Sequence, residues 1–286
     1  MSGTATFISK LEHCWQQGNF VCVGLDSDYE QLPVGVQRST SIEEAVFVFN
    51  REIIDATHDL VCAYKPNAAF YEAQGEAGLR ALMRTVYYIR EMYPTIPVIL
   101  DAKRADIGST NVGYVGAAFD RLGVDAITVH PYLGKEALAP FLACKEKGII
   151  VLAKTSNPGS GEFQDMLVGE AREPLYQVVA RHVVQSWNEN RNCAVVVGAT
   201  YPAELQKVRA IVGDMPILIP GIGVQGGEIT ATVSAGRDSR GWGMIINSSR
   251  GIIYASRSED FAEAARKATR QLRGEIVRAA GIHAGA

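Results

Sequence analysis

The sequence predicts an α/β chain folded as a single (β/α)8 TIM barrel, and three observations carry that prediction. Eight short apolar segments recur along the 286 residues. Longer stretches with helical periodicity alternate with them. The apolar segments end repeatedly in charged or polar residues, as parallel strands do where they emerge on one face.

The apolar segments are 20–25, 60–64, 97–100, 126–129, 149–153, 194–197, 216–219 and 243–246. They are rich in Val and Ile and apolar on both faces, as strands covered on both sides must be. Helical periodicity marks 42–56, 76–92, 113–122, 173–189, 203–212 and 259–278. In the last, Glu263, Arg266, Lys267 and Arg270 alternate with Phe261, Ala265 and Leu272 at helical spacing. A doubly wound sheet of fewer strands is the rival architecture. No stretch reads as an interdomain linker, so residues 1–286 are expected to form one barrel domain with a short N-terminal helical extension. The tail at about 281–286 is expected to be flexible, and the nonperiodic stretches 26–40 and 156–169 to be loops after strands one and five.

Composition narrows the function classes. Lys plus Arg total 28 against 31 Asp plus Glu, a net charge of −3, which gives no electrostatic reason to expect nucleic acid or an anionic membrane. Hydrophobic residues at 47% and charged residues at 21% fit a folded globular chain. The five cysteines form no CxxC and read as reduced thiols, and neither a signal peptide nor a membrane span is evident. A cytoplasmic protein is expected.

The polar strand ends are Asp26 and Asp28, Lys65, Asp101 and Lys103, His130, Lys154, 220–227 and 247–250. The sharpest segment is VILDAKRADIGST at 98–110. Asp101 and Lys103 are two apart, so a continued strand would point both over the mouth, with Arg104 the exposed member. Asp106 follows at the loop-to-helix boundary, and Lys65 ends the neighbouring strand. Two ammonium groups alternating with two carboxylates suit a reaction that develops negative charge on carbon. A lysine held between carboxylates can stabilise a carbanion and protonate it. The bland reading of the same set is a structural ion-pair network.

ILIPGIGVQGGE at 217–228 satisfies GxGxxG through Gly221, Gly223 and Gly226. The dinucleotide reading fails on context, because the next strand ends without an acidic residue for a ribose. A phosphate site built from the seventh and eighth loops fits better. Gln225 offers an amide there, and Arg250 in SSRG offers a bidentate fork. Ser156, in KTSNPG after strand five, suits an amide or pyrimidine edge. Asp26 and Asp28 could accept from ribose hydroxyls, and Thr110 is a site residue or a local cap. The isolated histidines show no metal spacing, and two lysines beside Asp101 and Asp106 argue against a divalent ion.

Asp101-Ala102-Lys103-Arg104-Ala105-Asp106, with Lys65 before it and Pro220-Gly221-Ile222-Gly223 after it, resembles the orotidine 5′-phosphate decarboxylase family. The resemblance runs from VGLDSD at 23–28 to SSRG at 248–251, and YKPNAAFYE with KTSNPGS resembles the longer bacterial branch. It implies cofactor-free and metal-free decarboxylation of orotidine 5′-monophosphate to UMP, the last step of de novo UMP synthesis. Lys65, Asp101, Lys103 and Asp106 would be catalytic, with Asp106 and Thr110 reaching in from the partner of a homodimer. Asp26 would bind ribose and Ser156 the pyrimidine. Gln225, Arg250, Gly223 and Gly226 would hold the 5′-phosphate. Asn67 stands where many members have histidine. Rivals are a related Mg2+-dependent sugar-phosphate lyase or synthase, a Schiff-base aldolase using Lys65, Lys103 or Lys154, and a phospho-ligand-binding barrel without chemistry.

Overall fold

A computed structural model describes residues 5–38, 41–222 and 226–282 of the chain. Eight strands form one sheet: β1 (Val21–Leu25), β2 (Val61–Pro66), β3 (Ile99–Arg104), β4 (Ala126–Val129), β5 (Gly148–Lys154), β6 (Cys193–Val197), β7 (Ile217–Pro220) and β8 (Met244–Ser248). Their order is β2-β1-β8-β7-β6-β5-β4-β3, every pairing is parallel, and parallel bridges Tyr64–Val98 and Asn67–Asp101 join the two ends. The sheet therefore closes as a barrel, and each of the eight apolar segments is one of its strands.

Among the described residues, the nine longer helices are α1 (Phe7–Gln16), α2 (Ile42–Thr57), α3 (Gly75–Met92), α4 (Gly108–Val115), α5 (Gly134–Leu142), α6 (Leu175–His182), α7 (Pro202–Val212), α8 (Gly226–Gly236) and α9 (Phe261–Ala280). Local chemistry sets their ends. Ser41 accepts the Glu44 N–H at the start of α2, where Glu43 and Glu44 also favour the helix dipole. Gly281 ends α9 in the left-handed region. α1 is the expected N-terminal helix. Trp15 Nε1 donates to the Met244 carbonyl at 2.9 Å, and Lys10 pairs with Asp125 at 2.8 Å. Both anchors lie where β8 and β4 begin, so α1 covers the end of the barrel opposite the mouth.

The structure differs from expectation between strands. α5 was not signalled, because a nine-residue helix containing Pro140 shows little periodicity. The stretch 26–40 contains a turn of 3-10 helix (Tyr29–Gln31) and a short helix (Val34–Arg38). The stretch 156–169 carries Pro158–Ser160, the helix Gly161–Gln164 and one strand of a ribbon, Leu167–Val168 paired with Glu173–Pro174. The helices expected at 113–122 and 173–189 change to wider π-helical turns at Gly116–Leu122 and Val183–Trp187. Residues 283–286 of the expected tail lie outside the described residues.

Candidate active site

Three charged side chains meet where β2 and β3 end. Lys65 Nζ lies 3.0 Å from Asp101 Oδ2, and Lys103 Nζ lies 2.7 Å from Asp101 Oδ1. Thr128, on β4, donates its hydroxyl to Asp101 Oδ1 at 2.9 Å. The Thr128 oxygen in turn accepts the backbone N–H groups of Ala102 and Lys103. Lys65 is only 3% exposed and Asp101 12%, whereas Lys103 is 49% exposed. Burial alone would raise the Asp101 carboxyl, but Lys65 and Lys103 outweigh it and hold the group well below the usual carboxylate range. Burial alone would lower the Lys65 ammonium, but Asp101 and then Asp26 outweigh it, and the net shift is upward. Both groups are therefore ionised across the neutral range.

Lys103 reaches this array by a route that alternation did not predict. β3 shifts register against β4 between Leu100 and Arg104, and Lys103 has φ +48°. A non-glycine residue in the left-handed region is strained unless its surroundings hold it. Here Thr128 and Asp101 do so. The same irregularity corrects the expectation for Arg104. It is less exposed than Lys103, pairs with Glu72 and lies over the Tyr114 ring.

Beside the array a cleft of about 540 Å³ extends toward β7 and β8. Asp26, Lys65, Asp101, Ser156 and Arg250 all line it. Asp26 is held by its backbone: Tyr254 Oη donates to the Asp26 carbonyl at 3.2 Å and accepts the Asp28 N–H at 2.8 Å. Tyr71, itself bonded to Asn50, donates to the Leu25 carbonyl. The side chain of Asp26 stays available, with Oδ1 buried and unpaired among the described residues. Ser156 is exposed and stands against Gly198. A Cβ at Gly198 would lie 2.8 Å from Ser156 Cα, so only glycine admits this approach. Arg250 is exposed at the first turn of Arg250–Ile253 and has no carboxylate partner among the described residues.

Other expected residues fall elsewhere. Lys103, Asp106 and Thr110 do not line the cleft, and Lys103 meets it only through Asp101, which does. Asp106 Oδ1 accepts the Ile107 N–H, and its backbone N–H donates to Asn111, which also ties the Asp106 carbonyl to α5. Thr110 is exposed on α4. Gly226 opens α8, while Gly223 and Gln225 lie outside the described residues. Lys154, a candidate nucleophile, is buried against Asp165 and does not line the cleft. Among the described residues, no cluster of three or more His, Cys, Asp or Glu could hold a metal, and no helix is long and apolar enough to cross a membrane.

Thr128 went unnoticed in the sequence, and Asn247 was read only as part of the polar strand end 247–250. Thr128 is the lone hydroxyl in the apolar strand Ala126–Val129, and that oddity was its available signal. Asn247, on β8, lines the cleft at 6% exposure with Oδ1 unpaired among the described residues. As the first polar residue after an apolar run it looked like an ordinary strand end.

Comparison with known proteins joins this geometry to a family. The pattern of the Orotidine 5'-phosphate decarboxylase / HUMPS family matches residues 19–268. The chain belongs to this family. It is 50% identical over 272 residues to the orotidine 5'-phosphate decarboxylase of Cellvibrio japonicus, covering 95% of this chain and 98% of that one. The corresponding enzyme of Cupriavidus metallidurans is 52% identical over 274 residues, covering 96% and 98%. Among solved structures, the OMP decarboxylase of Leishmania donovani superposes with a TM-score of 0.80 at 36% identity, covering 95% of this chain and 98% of that one. The matched stretch runs from before β1 into α9 and includes all eight strands, the charged array and most of the cleft lining.

Proposed function

We propose that this chain decarboxylates orotidine 5′-monophosphate to UMP and CO2 without metal or cofactor, as a homodimer with composite sites in the cytoplasm. The observation that carries this reading is the Lys65–Asp101–Lys103 array at one end of a cleft that reaches Arg250. Near-full-length identity to decarboxylases supports it. The whole chain acts as one barrel domain with α1 as its extension.

The chemical difficulty is local. When the bond from C6 to the carboxylate breaks, the electron pair stays in the ring plane and cannot spread into the π system. The stabilisation must be electrostatic and already in place. Lys103 supplies the positive charge, then gives a proton to C6 as CO2 leaves, and regains one from water. Asp101 and Asp106 orient the lysines, with Lys65 balancing Asp101 from the buried side. Asp106 and Thr110 come from the partner subunit. The exposed apolar side chains of Ile107, Val112 and Tyr132 support this, as a surface that a second subunit would cover. Asp26 and Thr110 hold the ribose and Ser156 reads the pyrimidine. Arg250, Gln225, Gly223 and Gly226 bind the phosphate, and that remote binding drives closure of the site.

The test is the loss of orotidine 5′-monophosphate absorbance with purified protein dialysed against EDTA. Full turnover with stoichiometric UMP supports the proposal. Activity that returns only with Mg2+, or nucleotide binding without turnover, contradicts it.

A further inference from the structure

The β5 strand ends in a charge that the decarboxylation chemistry does not use. Lys154 is 1% exposed, and its Nζ lies 2.6 Å from Asp165 Oδ1, eleven residues along the following loop. The ammonium also lies over the rings of Tyr201, at 4.8 Å, and Tyr176, at 5.8 Å. A second clasp closes the same loop. The Thr155 N–H donates to Gln164 Oε1 at 2.9 Å, and Gln164 Nε2 donates to Thr155 Oγ1 at 2.8 Å. Ser156 is the next residue, pressed against Gly198, whose N–H donates to the Lys154 carbonyl at 2.9 Å.

We propose that Lys154 and Asp165 form a latch that positions Ser156 on the pyrimidine by holding the 155–165 loop against the barrel. A desolvated ammonium needs a counter-charge. Lifting the loop would leave Lys154 with aromatic faces alone, so the pair disfavours the open loop. Ser156 is fixed from both directions, by the strand that carries Lys154 and by the loop that carries Asp165. Lys154 and Asp165 are positioning residues, since neither lines the cleft.

The inference rests on the reading of Ser156 as the pyrimidine contact, and a double-mutant cycle separates the two. Asp165 is 51% exposed, so Asp165→Ala should keep the fold, with Tm as the check. Its KM should rise on the order of tenfold or more with a smaller change in kcat, and Asp165→Glu should recover most of the loss. Ser156→Ala should lower kcat/KM at least about tenfold in the wild-type background but less than about threefold beside Asp165→Ala, because a displaced serine has little left to lose. The same factor in both backgrounds would overturn the latch. No effect of Ser156→Ala on the wild type would overturn the role of Ser156 and the latch's action through it. A wild-type chain that does not turn over the nucleotide would contradict the decarboxylase reading instead.

Discussion

The two ends of the cleft are built differently. At the β2–β3 end the charged groups sit on strands and are already bonded to one another, down to the hydroxyl that holds Asp101. At the β5, β7 and β8 end the expected ligand contacts sit on loops, and Ser156 and Arg250 are exposed. The first end needs no reorganisation when charge develops on the substrate, which is what electrostatic catalysis requires. The second end is exposed and loop-borne, so ligand binding energy is available there to organise the site.

Removing the centre of the rigid end should have the largest effect. Asp101→Ala leaves Lys65 buried without its carboxylate, which should cost about 3–5 kcal/mol of stability and almost all turnover. Chemical denaturation with circular dichroism measures the first, and a steady-state assay the second. A loss below about 1 kcal/mol would mean that the array is as adaptable as the loops.

Subunit mixing asks whether the rigid end is complete within one chain. Lys103→Ala and Asp106→Ala should each be inactive. After exchange, a statistical mixture should recover about a quarter of wild-type activity, since half the dimers carry one intact site of two. No recovery despite demonstrated exchange would place Asp106 in its own site.

The loop end should respond through binding. Arg250→Ala removes an exposed fork, so the loss should be about 1.5–3 kcal/mol, or roughly 10- to 150-fold in kcat/KM. Isothermal titration with UMP should show the same weakening. An unchanged kcat/KM in a folded variant would remove Arg250 from the phosphate site.

The smallest effect is that of pH. Asp101 is shifted below its ordinary value of 3.8, so its contribution to stability is present above about pH 4 and is lost as pH falls. Lys65 is shifted above 10.5, so its contribution is present below that value and is lost only as pH rises through the higher folded value. Neither group titrates between about pH 5 and 9. A kcat/KM profile should be flat from about pH 7 to 9 and fall only a few-fold on the acid side, following the substrate phosphate near 6. A titration near pH 8 that persists with a phosphate-free ligand would show that a group of the array changes charge.

What the sequence made legible divides along the same line. Strands announced themselves because both faces are buried, and Lys65 and Asp101 could be placed from their strand ends alone. Lys103 was expected beside Asp101, where the structure has it, by an argument the bulge invalidates, since alternation does not survive a register shift. α5 and the short helices of the 26–40 and 156–169 stretches were missed because periodicity needs several turns to show. The Lys154–Asp165 pair was hidden because contact across an eleven-residue loop leaves no local pattern.

The proposed mechanism turns on Lys103, and Lys103→Met tests it most directly by keeping a long side chain while removing the charge and the proton. The account predicts a folded protein that binds UMP within a few-fold of wild type and loses kcat by at least about 10²–10⁴-fold. Retention of more than about a tenth of wild-type kcat would contradict it, because positioned proton transfer alone contributes more than that.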